Sequence, residues 1–239
     1  MPRATASGTL AILPLRAGSK GLAKKNLRPI AGKPLYRHTL DQALRTVGRC
    51  AITTDIPELL SGEVPDGCIV IERPEELAGD RTPINPVLAH MFEQLESAGE
   101  LPETAVLLQA TSPLRLDDDV RAAIDLYEKG DFELVMSVTS ADSGILKYGF
   151  LDGGRFDAVA RPEYCFENRQ DLPQVVRPNG AVYVFSPETF RRNGGLATQS
   201  IGAVEMPVAR SIDIDDEDDL KAAEAILRQL SAASQRKAV

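Results

Sequence analysis

Short apolar runs punctuate the first 140 residues: Leu10–Leu13, Ala51–Thr54, Cys68–Ile71, Ala105–Leu108 and Leu134–Val138. Each is brief and mostly aliphatic or β-branched, the pattern of a strand buried on both faces. Between most of them lie helical periodicities. Leu35 to Val47 sets Leu35, Leu40, Ala43, Leu44 and Val47 on one stripe, and Pro86 to Leu95 does the same with Val87, Leu88, Met91, Phe92 and Leu95. Asp117-Asp118-Asp119 leads into a run from Val120 to Tyr127, an acidic start that suits a helix dipole. Strand–helix alternation of this kind predicts an α/β fold, with a mainly parallel sheet and helices on both faces.

The periodicity breaks between residues 140 and 178, where Gly, Pro, Asp and Arg are frequent. A patternless stretch of that length is long for a loop, so it reads as an excursion, a lid or an oligomer contact. Regular structure resumes with a strand at Ala181–Phe185. The chain closes on a helix from Glu217 to Leu230, with Leu220, Ala223, Leu227 and Leu230 on one face and Ala232 to Val239 expected to fray. Residues 1–239 thus read as one domain carrying an excursion at 140–178.

Composition narrows the class. A hydrophobic share of 43% and a charged share of 26% are those of a soluble globular protein. No run approaches the roughly twenty apolar residues that span a bilayer, and the start lacks a signal-peptide apolar core. Three widely spaced cysteines, Cys50, Cys68 and Cys165, suggest reduced thiols and a cytoplasmic location. His38 and His90 fall in predicted helices with no partner at ligand spacing, which counts against zinc.

Charge changes the picture more. The net charge is −8, yet the first forty residues hold eight Lys/Arg and no Asp or Glu. The cations centre on Leu13-Pro14-Leu15-Arg16-Ala17-Gly18-Ser19-Lys20-Gly21-Leu22-Ala23-Lys24-Lys25-Asn26, directly after the first apolar run. A strand that ends in a glycine-containing basic loop is how α/β proteins hold phosphates, because backbone amides approach closely and Lys/Arg neutralise charge. An acidic protein needs such a local field to admit a nucleotide. A merely solvated basic loop is the plainer alternative. Overall acidity, with only Tyr36 as a nearby aromatic, counts against nucleic acid as a partner. Neither common phosphate motif is present: Gly32-Lys33 is followed by Pro34, which breaks a Walker A, and Gly18 and Gly21 do not supply a dinucleotide fingerprint.

The blocks that are present resemble the CMP-sialic acid synthetases (acylneuraminate cytidylyltransferases), within the nucleotide-sugar pyrophosphorylases. That family's first motif reads approximately Ile-Pro-Ala-Arg-x-Gly-Ser-Lys-Gly-x-x-x-Lys-Asn, then Gly-x-Pro-Leu. Here stand Leu13 to Gly21, Lys25-Asn26 and Gly32-Lys33-Pro34-Leu35. Four further blocks follow in family order: Arg73 to Asp80, Leu108-Gln109-Ala110-Thr111-Ser112-Pro113-Leu114-Arg115, Arg177 to Tyr183, and Ser211 to Asp215. The match spans roughly residues 9 to 228. Leu15 and Ala110 depart from the usual Ala and Pro and bear on ligand fit.

The resemblance implies a three-layer α/β/α fold with a Rossmann-like sheet of the nucleotide-diphospho-sugar transferase type and a small dimerisation excursion. It implies attack by the anomeric 2-hydroxyl of a nonulosonic acid on the α-phosphorus of CTP, giving a CMP-sugar and pyrophosphate. Such chemistry needs cations and metal more than a covalent nucleophile. By carry-over, Leu15, Arg16, Ser19, Lys25, Asn26, Arg73 and Asp80 form the CTP site, with Arg16, Lys25 and Asp213 catalytic. Lys20 and Lys24 read as solvated loop residues. Asp80 reads either as a contact at the cytosine–ribose end or as the N-cap of the helix beginning near Thr82.

Gln109, Asn179 and Tyr183 match sugar-pocket positions, although Tyr183 equally fits the core, and Lys147, Arg169 and Arg177 are candidate cations for the sugar. In the family the excursion crosses into a partner subunit, which implies a homodimer with a shared site. Asp213 and Asp215 alternate with apolar residues, so an extended chain projects both to one side as ligands for Mg²⁺. Asp215 to Asp219 also reads as the acidic cap of the last helix. Two rivals stand beside this reading: a synthetase for the eight-carbon sugar Kdo, and a catalytically silent nucleotide-binding homologue.

Overall fold

The computed structural model describes residues 8–19 and 21–237. Strand β1 (Thr9–Leu15) is followed by a small ladder of β2 (Pro29–Ile30) and β3 (Lys33–Pro34), then helix α1 (Leu35–Thr46). Next come β4 (Cys50–Thr54), the single-turn α2 (Pro57–Leu60), β5 (Cys68–Glu72) and α3 (Ile84–Ser97). The alternation continues with β6 (Thr104–Leu108), α4 (Asp117–Glu128) and β7 (Leu134–Ala141). A hairpin of β8 (Gly149–Asp152) and β9 (Arg155–Ala158) precedes β10 (Val175–Phe185), α5 (Pro187–Asn193), β11 (Ile201–Glu205) and α6 (Glu217–Lys237).

Seven strands form one sheet in the order β11-β7-β10-β6-β1-β4-β5. Only β10 runs antiparallel, to both β6 and β7; the other pairings are parallel. Side-chain alternation along β1 feeds two cores. Ala11, Leu13 and Leu15 meet Leu40 and Ala43 of α1 and Val120 and Ala123 of α4. Leu10 and Ile12 face the other way, into the core with Leu88, Met91 and Phe92 of α3 and Phe190 of α5. A one-residue slip of β1 would exchange the two sets. Phe92 meets Phe185 and Phe190 edge to face, and the latter two are tilted against each other, with ring centroids 5.4–6.1 Å apart; each such side chain contributes about 1.5–3 kcal/mol by burial. The layers are therefore helix, sheet, helix, as expected for the α/β class.

A third cluster matters for the site. Leu22, from the basic loop, packs with Ile30, Leu35, Leu114, Ile214, Leu220 and Ala223. It fastens that loop to the carboxylate-bearing segment before α6.

Two expectations need correction, and two short elements were unforeseen. Residues 140–178 are not irregular throughout: β7 runs to Ala141, β10 begins at Val175, and β8 and β9 pair between them. Short β11 and α5 were not apparent in the sequence, since the apolar stretch of β11 holds a glycine and a glutamate. The last helix does not stop near Leu230 but continues to Lys237; Ala238 and Val239 lie outside the described residues. No helix among the described residues is long and apolar enough to cross a membrane.

Candidate active site

Strand order reverses around β1, with β4 on one side and β6 on the other. In open α/β sheets the crevice beyond the carboxyl ends of such strands is where ligands bind. Here that crevice is lined by Arg16, Ser19, Lys25 and Asn26 from the loop after β1, by Arg73, Asp80 and Thr82 after β5, by Gln109 to Thr111 after β6, and by Asp213 and Asp215. Six of the seven residues expected at CTP, both expected metal ligands and Gln109 thus meet in one cleft.

The two halves of the cleft are fastened by backbone as well as charge. A Cβ on Gly21 would sit 2.3 Å from the Asp215 carbonyl oxygen, so only glycine lets the basic loop lie against that segment. Among the described residues, Gly18 has nothing within 4 Å of such a Cβ; the glycine that matters here is the second. Lys25 is buried, and its Nζ donates to the Ile214 carbonyl at 2.7 Å and to Asp215 Oδ1 at 2.9 Å. Asn26 Nδ2 donates to the Arg16 carbonyl at 2.9 Å, fixing the turn that presents Arg16. Arg16 pairs with Asp80 across the mouth of the cleft. Asp80 is not a helix cap: α3 is entered through Pro83, without a side-chain cap.

Arg73 is buried, with Nη2 donating to the Thr53 carbonyl at 2.9 Å and Nε without a partner among the described residues. Burial lowers its pKa, Asp55 opposes that shift, and the nearby Arg16 charge adds to it. On the far wall, burial of the Asp213 carboxyl raises its pKa, a Thr111 hydrogen bond opposes this, and the Asp215 charge adds to it. The residue still faces the open cleft. A cation would relieve the charge that Asp215 imposes on Asp213, and hard oxygens suit Mg²⁺, which takes one or two protein carboxylates and completes its shell with phosphates and water. The donor set fits that mode. It does not fit a closed protein cage, because the described residues hold no group of three or more His, Cys, Asp or Glu arranged for a metal.

The neighbouring acids behave otherwise. Asp216 Oδ1 accepts from the Asp218 and Asp219 amides at 2.9 Å each, and Asp219 Oδ2 from the Asp215 and Asp216 amides. They cap α6 and leave Asp213 and Asp215 to the cleft.

Several expected residues lie elsewhere. The Leu15 side chain is in the core, because strand alternation aligns it with Ala11 and Leu13. Asn179 is 4% exposed and engaged in the interior. Tyr183 is half-buried, its hydroxyl pKa raised by burial and then by the charge of Asp213. Lys147 donates to the Glu167 carbonyl, Arg169 pairs with Asp142, and Arg177 is exposed on β10. None of these five polar residues lines the cleft of its own chain. Lys20 lies outside the described residues.

Sequence reasoning missed three residues. Asp55, the first acid after β4, accepts from the Ala17 amide at 2.8 Å; its place at a strand's carboxyl end was the available signal. Thr111 bonds Asp213 and, through its carbonyl, the Ile214 amide at 2.9 Å. Arg115 is 3% exposed and donates to Gln42 Oε1 at 2.8 Å, the Ala181 carbonyl at 2.7 Å and the Gln109 carbonyl at 3.3 Å. Burial lowers its pKa to about 10, with Asp119 and Asp117 opposing, so it remains a cation at neutral pH.

Comparison with known proteins shows the family. A family model described as "Cytidylyltransferase" matches residues 10–188. The chain belongs to the cytidylyltransferase family. Among curated cytidylyltransferases, it is 31% identical over 216 residues to the N-acylneuraminate cytidylyltransferase of Streptococcus agalactiae serotype III, covering 88% of this chain and 51% of that protein. The chain therefore spans about half the length of the first curated relatives it matches. It is 27% identical to the CMP-N,N'-diacetyllegionaminic acid synthase of Legionella pneumophila, over 86% of this chain and 90% of that one. In fold it is similar to a CMP:2-keto-3-deoxy-manno-octonic acid synthetase solved with CTP, at TM-score 0.69 and 16% identity, covering 93% and 99% of the two chains.

Proposed function

We propose that this cytidylyltransferase moves the cytidylyl group of CTP onto the anomeric 2-hydroxyl of a nonulosonic acid, releasing pyrophosphate, with Mg²⁺ and as a homodimer. One observation carries the reading: a basic loop and a carboxylate pair, distant in sequence, face each other in a single cleft at the switch point of the sheet. A triphosphate is the ligand that needs both, cations for its oxygens and carboxylates for its metal.

Arg16 and Ser19 meet phosphate oxygens from the loop side. Lys25 has two ammonium protons on Ile214 and Asp215, which leaves its third for a phosphate oxygen. Charge that builds on the leaving pyrophosphate is stabilised by these fixed cations without reorganisation. Asp213 and Asp215 would hold Mg²⁺, which when bound neutralises the α-phosphate and acidifies the attacking hydroxyl. Arg73 and the Gly79–Thr82 turn enclose the nucleoside end. Gln109 presents an amide that donates to the sugar carboxylate or accepts from its hydroxyls. The two curated relatives described above are named for nonulosonic acids at 27–31% identity, whereas the Kdo synthetase is alike in fold at 16% identity, which favours the nonulosonic class over Kdo.

The excursion supports the dimer. Phe150 is 73% exposed and Phe166 91%, with Tyr148, Leu151 and Phe156 exposed beside them in sequence. Apolar side chains bared together are characteristic of an interface. Burial against a second copy would also carry Lys147, Arg169 and Arg177 towards the partner's cleft.

The test is CTP-dependent pyrophosphate release in Mg²⁺ with sialic, legionaminic and pseudaminic acids and Kdo. Release with a nonulosonic acid is expected. Release with Kdo alone moves the enzyme to the eight-carbon class, and CTP binding without release for any sugar defeats the reading.

A further inference from the structure

β10 pairs with β7 in two registers. Pro178 lies opposite Val138 and Tyr183 opposite Met136, so five steps along one strand match two along the other. The surplus residues form a bulge centred on Asn179 and Gly180, the latter at φ 77°. Bulges beside active sites re-aim side chains, and this one turns Asn179 inward, where all its hydrogen bonds are identifiable. Its Oδ1 accepts from Ser137 Oγ at 2.6 Å and from the Ala181 amide at 3.2 Å. Its Nδ2 donates to Ser211 Oγ at 2.9 Å and contacts Met206 Sδ at 3.3 Å. Ser211 Oγ in turn donates to the Pro207 carbonyl at 3.0 Å. Ser211 begins the segment that carries Asp213 and Asp215, and next to it Arg210 makes a two-pronged pair with Asp119 of α4. With donors and acceptors engaged inside the protein, the Asn179 amide has nothing free to offer a sugar.

We propose that Asn179 is a positioning residue for the metal-binding carboxylates, acting through Ser211, and not a sugar ligand. The inference rests on the reading of Asp213 and Asp215 as Mg²⁺ ligands. The chain of contacts sets the height at which residues 211–215 cross the sheet, so its loss loosens the carboxylates while the sugar pocket keeps its own side chains. Partners one shell beyond a metal ligand are commonly worth about 10–100-fold in metal affinity.

The experiment uses Asn179→Ala, Ser211→Ala and the double variant. Mn²⁺ alone is titrated against the full chain by water-proton relaxation, and the Mg²⁺ requirement and the sugar KM are measured separately. Each single variant is expected to weaken Mn²⁺ binding about tenfold and to raise the Mg²⁺ requirement in parallel. The double variant should be no worse than the weaker single, because both cut one chain. The sugar KM at saturating Mg²⁺ should stay within about twofold. If Asn179→Ala does not fold, Ser211→Ala, which deletes one hydroxyl, carries the same expectation. A raised sugar KM with unchanged Mn²⁺ binding makes Asn179 a sugar ligand and overturns the proposal. Lower thermal stability with metal binding intact overturns it too. A wild-type protein that binds no Mn²⁺ defeats the metal reading itself, and is thereby distinguished from both.

Discussion

The cleft and the excursion both hold arginines and lysines, but they hold them differently. In the cleft, Lys25 is fixed by Asp215, 190 residues away, and Arg16 meets Asp80, 64 residues away. In the excursion, Lys147 and Arg169 are paired with groups only 20 and 27 residues distant, at exposed positions. Cations fixed by remote partners are preorganised by the whole sheet, which is what a site for charge development needs. Exposed local pairs contribute little and are readily exchanged for other partners. Apolar side chains follow the same division: buried around the cleft, bare on the excursion. The cleft thus gathers its cations and carboxylates from one chain, as the proposed nucleotide site requires, whereas the excursion bares apolar side chains, as the proposed dimer requires.

The sharpest way to break this contrast is at the cleft. Asp213→Ala should abolish Mg²⁺-dependent turnover while leaving the fold intact by circular dichroism. Activity within a few-fold of wild type would remove the carboxylate pair from the mechanism. Next in size, Arg115→Met should cost about 3 kcal/mol in urea unfolding, because Gln42 and two carbonyls lose a buried donor. A cost below about 0.5 kcal/mol, the level of an ordinary surface change, would mean that the cleft floor is not braced as described.

On the excursion, replacing Phe150 and Phe166 together with Ser should weaken the proposed dimer about tenfold or more in sedimentation. CTP affinity should remain, and sugar-dependent turnover should fall. Loss of CTP binding would show that the nucleotide site is not complete in one chain.

The smallest effect concerns an ordinary surface cluster. Hydrogen bonds from Thr198 and Asn193, with Arg192 adding, lower the pKa of Glu133 below the usual carboxylate value. A depressed carboxylate stabilises the fold above its ordinary pKa and loses that contribution as pH falls through the lowered value. Thermal melts of Glu133→Gln from about pH 6 to about pH 3 should show a slightly flatter acid limb than wild type. An identical limb would assign the acid sensitivity elsewhere.

Periodicity made the central sheet legible because its strands are buried on both faces and its helices are amphipathic, so each element carries its own signal. The antiparallel β10 was legible only at its buried half, Ala181–Phe185, since Val175–Pro178 is mostly exposed and contains a proline. The cleft was legible where chemistry directly follows a strand end, as with Arg16 and Gln109, and where a motif block names the residue, as with Lys25, Asp213 and Asp215. Asn179 and Leu15 show the limit. A motif position fixes neither the direction of a side chain after a bulge nor the strand face on which it falls. Arg115 and Asp55 were missed for the converse reason: each acts through backbone groups remote in sequence, and only the fold brings those together.

Whether the cleft presents CTP for attack at its α-phosphorus is decided by the fate of a label. With CTP labelled at the α- or the γ-phosphorus, a nonulosonic acid and Mg²⁺, the proposed reaction puts α-label on the sugar product and γ-label only in pyrophosphate. Label from the γ-position on the sugar, or no transfer to any nonulosonic acid by a protein that binds CTP, would contradict it.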